Sequence, residues 1–163
     1  MKTCIVLSAI PGSGKSTWAR HYQAEHPGTY IVSSDDLREE LYGSATNFEH
    51  EKELWDTYLA RLQGIASKGD DVVAIADATN LQNKYRVFYN VNTPQFNRHV
   101  LIIFEIPYED CERQNKLRIG ERVVPDYAMK SLRNEFEEPS KEVYDLYDEV
   151  IIIKKYSSFP HKK

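Results

Sequence analysis

Residues 7–20 read LSAIPGSGKSTWAR. An apolar run, TCIVLSA, leads into this stretch, and a helix-like segment leaves it from Ser16. Strand, glycine-rich turn and helix in that order are the setting of the phosphate-binding loop G-x-x-x-x-G-K-[ST]. Ala9 stands where the pattern has its first glycine. Gly12 and Gly14 let the chain turn so that backbone N–H groups converge on a phosphate, with Pro11 stiffening the approach and Ser13 inside the turn. The helix that follows adds its positive N-terminal end. Lys15 is expected to reach the β- and γ-phosphates and Ser16 to ligate Mg²⁺, with Thr17 a further phosphate contact. Ala9 costs little if its φ is negative and about 1 kcal/mol if positive. The motif implies nucleotide binding and does not by itself separate kinases from switches or motors.

The rest of the chain supplies the sheet that such a loop needs. TYIVSS, DVVAIAD, HVLIIFEIP and EVIIIKK follow TCIVLSA, each nearly continuous in apolar residues, as strands buried on both faces are. Helix-like segments lie between them, at 16–26, 35–42, 48–68, 82–92, 108–117, 125–136 and 140–147. Leu54, Tyr58, Leu62 and Ile65 form one stripe of the longest and read as core. Alternation of this kind predicts an α/β fold, five parallel strands between helices with right-handed crossovers. Ligands gather at the carboxyl ends of such strands, so the residues there carry the functional reading.

The 163 residues fit one domain, residues 1–153, followed by a basic tail, 154–163. The tail holds four lysines and no acid, so with a net charge of −4 the domain alone carries −8. That balance gives no support to nucleic-acid binding. The tail reads as a solvated terminus or a contact for a polyanion. No apolar run approaches the roughly 18 residues of a membrane span. Cys4 and Cys111 have no metal-ligand spacing and suggest no disulfide framework, which points to the cytoplasm, bacterial or of a phage-infected cell.

Asp35 and Asp36 lie just beyond the second strand. Ser34 or Asp35 can cap the next helix, but a carboxylate there can also accept a hydroxyl proton in phosphoryl transfer, and Asp35 is preferred to Asp36. Arg38, a turn further on, is a candidate for holding an anionic group of the acceptor, or else a surface ion-pair partner. Asp77 ends the third strand as a Walker B acid would, ordering Mg²⁺, or as an Asx turn. Thr79, Asn80 and Arg86 are candidate acceptor or phosphate contacts. Arg113, Arg118 and Arg122 follow the fourth strand, where a mobile lid can bring positive charge to the γ-phosphate. Four interleaved acids (Glu109, Asp110, Glu112 and Glu121) leave a solvated face as the competing reading.

With PGSGKSTWAR, HPGTYIVSSDDLR, DATNL, R-x4-R-x3-R-V-V-P and FEEP in view, the chain resembles the kinase domain of phage polynucleotide 5′-hydroxyl kinase and related small P-loop kinases, from Thr3 to about Val150. The resemblance implies an adenylate-kinase-like sheet ordered 2-3-1-4-5. It implies ATP and Mg²⁺ on Lys15 and Ser16, Asp35 as general base, Arg38 on an acceptor phosphate, and Arg113 and Arg118 as lid arginines. Two departures are Ala9 and a longer interval from Arg113 to Arg118, which leaves Arg122 open for one of those roles. No phosphatase domain is expected after the fifth strand. The implied reaction is transfer from ATP to a 5′-hydroxyl of DNA or RNA. The alternatives are another acceptor (a hydroxymethylated base, a nucleoside or another small molecule) and a nucleotide switch. The two Asn-Lys pairs, NKYR and NKLR, lack the Asp of a guanine-reading N-K-x-D motif.

Overall fold

In the computed structural model, residues 1–156 are described. Five strands, β1 (Lys2–Ser8), β2 (Thr29–Ser33), β3 (Val72–Asp77), β4 (Arg98–Phe104) and β5 (Glu149–Ile153), form one parallel sheet in the order β2-β3-β1-β4-β5. Both the strands and the order match expectation. Of the basic tail, 154–156 are described and the remaining seven residues lie outside.

The central strands β1, β3 and β4 are buried on both faces because they carry apolar residues in both directions, whereas Tyr30 of β2 and Ile152 of β5 are exposed at the sheet's edges. In β1, Cys4 and Val6 join the core with Leu54, Tyr58, Leu62 and Ile65 of the long helix α3 (Glu51–Ile65). Ile5 and Leu7 point the other way, toward Trp18 and Ala19 of α1 (Lys15–Glu25) and toward Met129. β4 divides likewise, with Leu101 and Ile103 on one face and Val100, Ile102 and Phe104 on the other. The Trp of the TWAR stretch is therefore core, its ring 6.2 Å edge-on from Phe104. Cys4 and Cys111 are free and buried, and burial pushes both thiols up to about 12.

Local signals end the helices where they should. α2 (Ser34–Tyr42) is capped by the Ser33 hydroxyl, which accepts from the Asp36 N–H, and stops at Gly43 in the left-handed region. The cap is thus Ser33, not Ser34 or Asp35, and the Asp35 carboxylate is left for other work. α4 (Asn83–Val91) and α5 (Tyr108–Asn115) follow β3 and β4, and α6 (Asp126–Glu135) and α7 (Lys141–Leu146) precede β5. One boundary departs from expectation. The helix anticipated from Phe48 begins only at Glu51, because Asn47 turns the chain by accepting the Glu49 N–H. That turn sets Phe48 against Arg38 and not on a helix face.

Candidate active site

The sheet order reverses direction at β1, and the loop leaving β1 therefore opens into the crevice at the strands' carboxyl ends. Gly12 and Gly14 turn this loop at φ 84° and 88°, both left-handed, as the motif requires. Gly14 precedes α1 with no side-chain cap, so the first N–H groups of that helix stay available to a ligand. A Cβ at Gly12 would lie 2.0 Å from the Cys111 carbonyl oxygen, so the loop is pressed against α5 where only glycine fits. Ala9 has no positive φ. It is 1% exposed and donates its N–H to the Thr79 carbonyl at 2.9 Å. The glycine missing from the motif falls at a strand exit with ordinary backbone.

Two side chains of the loop converge on β3. The Ser16 hydroxyl donates to Asp77 Oδ2 at 2.7 Å, and Lys15 Nζ lies 3.7 Å from Asp77 Oδ1. Asp77 is buried, so the lysine charge is what offsets its carboxylate. The Ser13 hydroxyl is buried without a hydrogen-bond partner. A loop of open N–H groups, an orphaned hydroxyl, a lysine and a Ser–Asp pair fit a nucleotide's phosphates with Mg²⁺. Ser16 and Asp77 are the residues that would hold the ion, and waters and phosphate oxygens commonly complete such a shell.

The second carboxylate faces the same cleft, which encloses about 1780 Å³. Asp35, at the start of α2, accepts from Arg38 Nη1 at 3.0 Å, and Arg118 Nη2 lies 3.7 Å from its other oxygen. Burial lowers the pKa of the Arg118 guanidinium, and Asp35 opposes that shift. Arg118 leads into the lid, the segment between α5 and α6 with a 3-10 turn at Gly120–Arg122. Asn115 closes the lid's base, its amide bonded to both the N–H and the carbonyl of Val124.

The lid is fastened across the cleft to α2 and the loop that follows it. Arg122 pairs with Asp36 at 3.0 Å and Glu39 at 3.3 Å. Glu121 accepts from the Ser44 and Thr46 hydroxyls and the Ala45 N–H. Those hydroxyls hold its carboxyl below the usual range. In sequence Glu121 is only one of four interleaved acids, and no local signal marks it as a clasp.

Several anticipated residues lie elsewhere. Lys15, Ser16, Thr17, Asp35, Asp77 and Thr79 line the cleft, and Asp36 and Arg122 pair at its rim. Arg38 forms part of the wall but is 6% exposed and already gripped. Its Nε and Nη2 bond both oxygens of Glu51 at 2.9 Å, and its guanidinium lies over both the Phe48 and the Trp55 ring. Glu51, held below its usual pKa by Arg38, went unnoticed in the sequence because an acid in a helix's first turn is ordinary.

Arg86 does not reach the cleft. It is fully buried and spends its five N–H groups on Asn80 O, Leu81 O, Glu137 O, Asn83 Oδ1 and the Ser8 hydroxyl. Asn80 is also structural. Its φ is 42°, its amide donates to Leu7 O, and its carbonyl accepts from Ser8. Both residues stitch β1 to the start of α4, which is why neither is free for an acceptor. Arg113 lies outside the cleft, exposed and paired with Asp110 three residues before it. A residue not anticipated, Tyr156, donates its hydroxyl to the Gly12 carbonyl at 2.9 Å.

This geometry meets its match among known proteins in an AAA domain, AAA_33, whose family pattern covers residues 5–139. The chain belongs to the AAA_33 family. Solved structures agree on the fold of this AAA domain, a small P-loop kinase fold. A chain of the Pnkp1/Rnl/Hen1 RNA repair complex superposes with a TM-score of 0.74 at 19% identity, over 90% of this chain and 46% of that one. The chain thus spans about half the length of that relative. A fungal RNA kinase superposes with a TM-score of 0.67 at 18% identity, over 99% of this chain and 78% of that one. A sugar kinase from Janibacter sp. HTCC2649 does so with a TM-score of 0.66 at 18% identity, over 94% and 86%. Among the described residues no helix is long and apolar enough to cross a membrane.

Proposed function

We propose that the protein is an ATP-dependent kinase that phosphorylates the 5′-hydroxyl end of DNA or RNA. The observation that supports this is the Asp35 carboxylate, free of any capping role and facing the same cleft as Lys15, Ser16 and Asp77. A switch needs no second carboxylate there, whereas a kinase needs a base for its acceptor. Asp35 takes the acceptor's proton as the hydroxyl oxygen bonds to the γ-phosphorus and the bond to the β,γ-bridging oxygen breaks. Lys15 and the loop N–H groups hold the phosphates. Ser16 and Asp77 would hold a Mg²⁺ ion, which would supply further charge neutralisation. Arg118 leaves Asp35 for the γ-phosphoryl group as charge develops there, with Arg122 the next arginine of the lid.

The acceptor class is what distinguishes this reading from its rival, a kinase of small molecules, which the net charge of −4 favours. Incubation with γ-labelled ATP and a panel of 5′-hydroxyl oligonucleotides, hydroxymethyluracil DNA, nucleosides and sugars separates them. We expect label on 5′-hydroxyl ends, lost in Asp35→Ala with nucleotide affinity kept within a few-fold. Label on sugars alone overturns the nucleic-acid assignment, and a fully active Asp35→Ala overturns the base.

A further inference from the structure

Beside Asp35 the cleft wall is built as a stack. Trp55 is half-buried, with its indole N–H on Glu51. The Arg38 guanidinium comes next, its central carbon 5.6 Å from the Trp55 ring centre and 4.7 Å from that of Phe48. Phe48 is the outer layer. It lines the cleft and is 59% exposed, although its neighbours in the stack are not. Arg38 covers part of that ring, and what is left faces solvent in the cleft. A phenyl ring held in this way is fixed by a cation–π contact and still offers an apolar face.

We propose that Phe48 is the platform on which the acceptor's terminal nucleobase stacks, and therefore that the acceptor is a nucleoside-bearing chain rather than a sugar. This rests on the kinase reading above and names the substrate class of that same site. The distances allow it. Arg38 touches Asp35 at 3.0 Å and Phe48 at 4.7 Å, so the carboxylate and the ring centre are at most about 9 Å apart. One nucleoside covers that span when its base lies on the ring and its 5′ oxygen meets the carboxylate. Stacking also suits an acceptor site in an acidic protein, because an aromatic face attracts every base without adding charge.

The test compares two acceptors, a 5′-hydroxyl trinucleotide and the same trinucleotide with its 5′-terminal base removed. Transfer from labelled ATP gives kcat/KM for each, and their ratio measures what the base contributes. In the wild type the base-bearing acceptor should be preferred by about 5- to 160-fold, the range that base–aromatic stacking supplies. Phe48→Ala should collapse that ratio toward one, and Phe48→Tyr should restore it, with the KM for ATP as the internal control. A ratio that Phe48→Ala leaves intact overturns the platform, because a ring that only covers Arg38 would affect both acceptors alike. That result would leave the polynucleotide kinase reading standing. Phosphorylation of sugars with no transfer to either trinucleotide overturns both.

Discussion

Gly12→Ala is the perturbation whose cost can be worked most directly from the structure. The new Cβ would sit 2.0 Å from the Cys111 carbonyl oxygen, 2.8 Å from its carbon and 3.1 Å from the Asn115 N–H nitrogen, all backbone of α5. Carbon–oxygen contacts normally stop at about 3.3 Å, so loop and helix must separate by more than about 1 Å. The left-handed φ of 84° adds about 1–2 kcal/mol for any residue with a Cβ, and overpacking adds about 1–3 kcal/mol. The expected loss of about 2–5 kcal/mol is a large part of an ordinary domain's stability. Urea unfolding should report it as a lowered midpoint with an unchanged slope. The displaced loop should also lose at least one charge-assisted N–H contact, weakening ATP in calorimetry by about tenfold or more. Ala9→Gly is the matched control. It restores the motif's glycine where φ is already ordinary, so it should bind ATP within about threefold of wild type and lose up to about 1 kcal/mol through backbone entropy. The reasoning fails if Gly12→Ala folds and binds ATP like wild type. It fails equally if Ala9→Gly binds ATP tenfold more tightly.

Arg86→Met should cost about 3–5 kcal/mol in urea unfolding, since three carbonyls, Ser8 and Asn83 lose a buried donor. A change in acceptor KM at full stability would return Arg86 to the substrate site. The lid arginines should divide sharply in single-turnover transfer. Arg118→Ala should slow it by about a hundredfold or more, and Arg113→Ala should change it by less than about threefold, because only Arg118 faces the cleft. Comparable losses in the two would refute that division. His99 donates to Thr93 from a half-buried ring, and burial lowers its pKa from 6.5. The unfolded chain then binds more protons than the folded one below 6.5. Stability should be full above that pH and fall as pH drops through it toward the lower folded value. His99→Gln should flatten the urea midpoint between pH 7 and pH 5, and parallel curves for the two proteins would exclude His99 as the cause.

The fold was legible because its signals are local. Apolar runs such as VVAIA and VLIIF can only be buried on both faces. The candidate phosphate loop was legible for the same reason, since Gly12, Ser13, Gly14, Lys15, Ser16 and Thr17 are contiguous. The proposed acceptor side was legible only in part. Asp35 was found because it follows β2, but the stretch between α2 and α3 gave no periodic signal, and Phe48 was assigned to a helix that starts three residues later.

The sequence by itself determined the strand–helix alternation, the phosphate loop and the carboxylates at the strand ends, because each depends on neighbours within a turn or a strand. Only the tertiary structure decided which arginine does what. An arginine's role follows from the acceptors that folding brings to its guanidinium, and these come from far along the chain. Arg86 meets a carbonyl 51 residues away and is consumed by it, Arg38 meets Glu51 and an aromatic pair, and Arg122 meets Asp36 across 86 residues. Arg113 meets only its neighbour Asp110, three residues away, and stays outside the cleft.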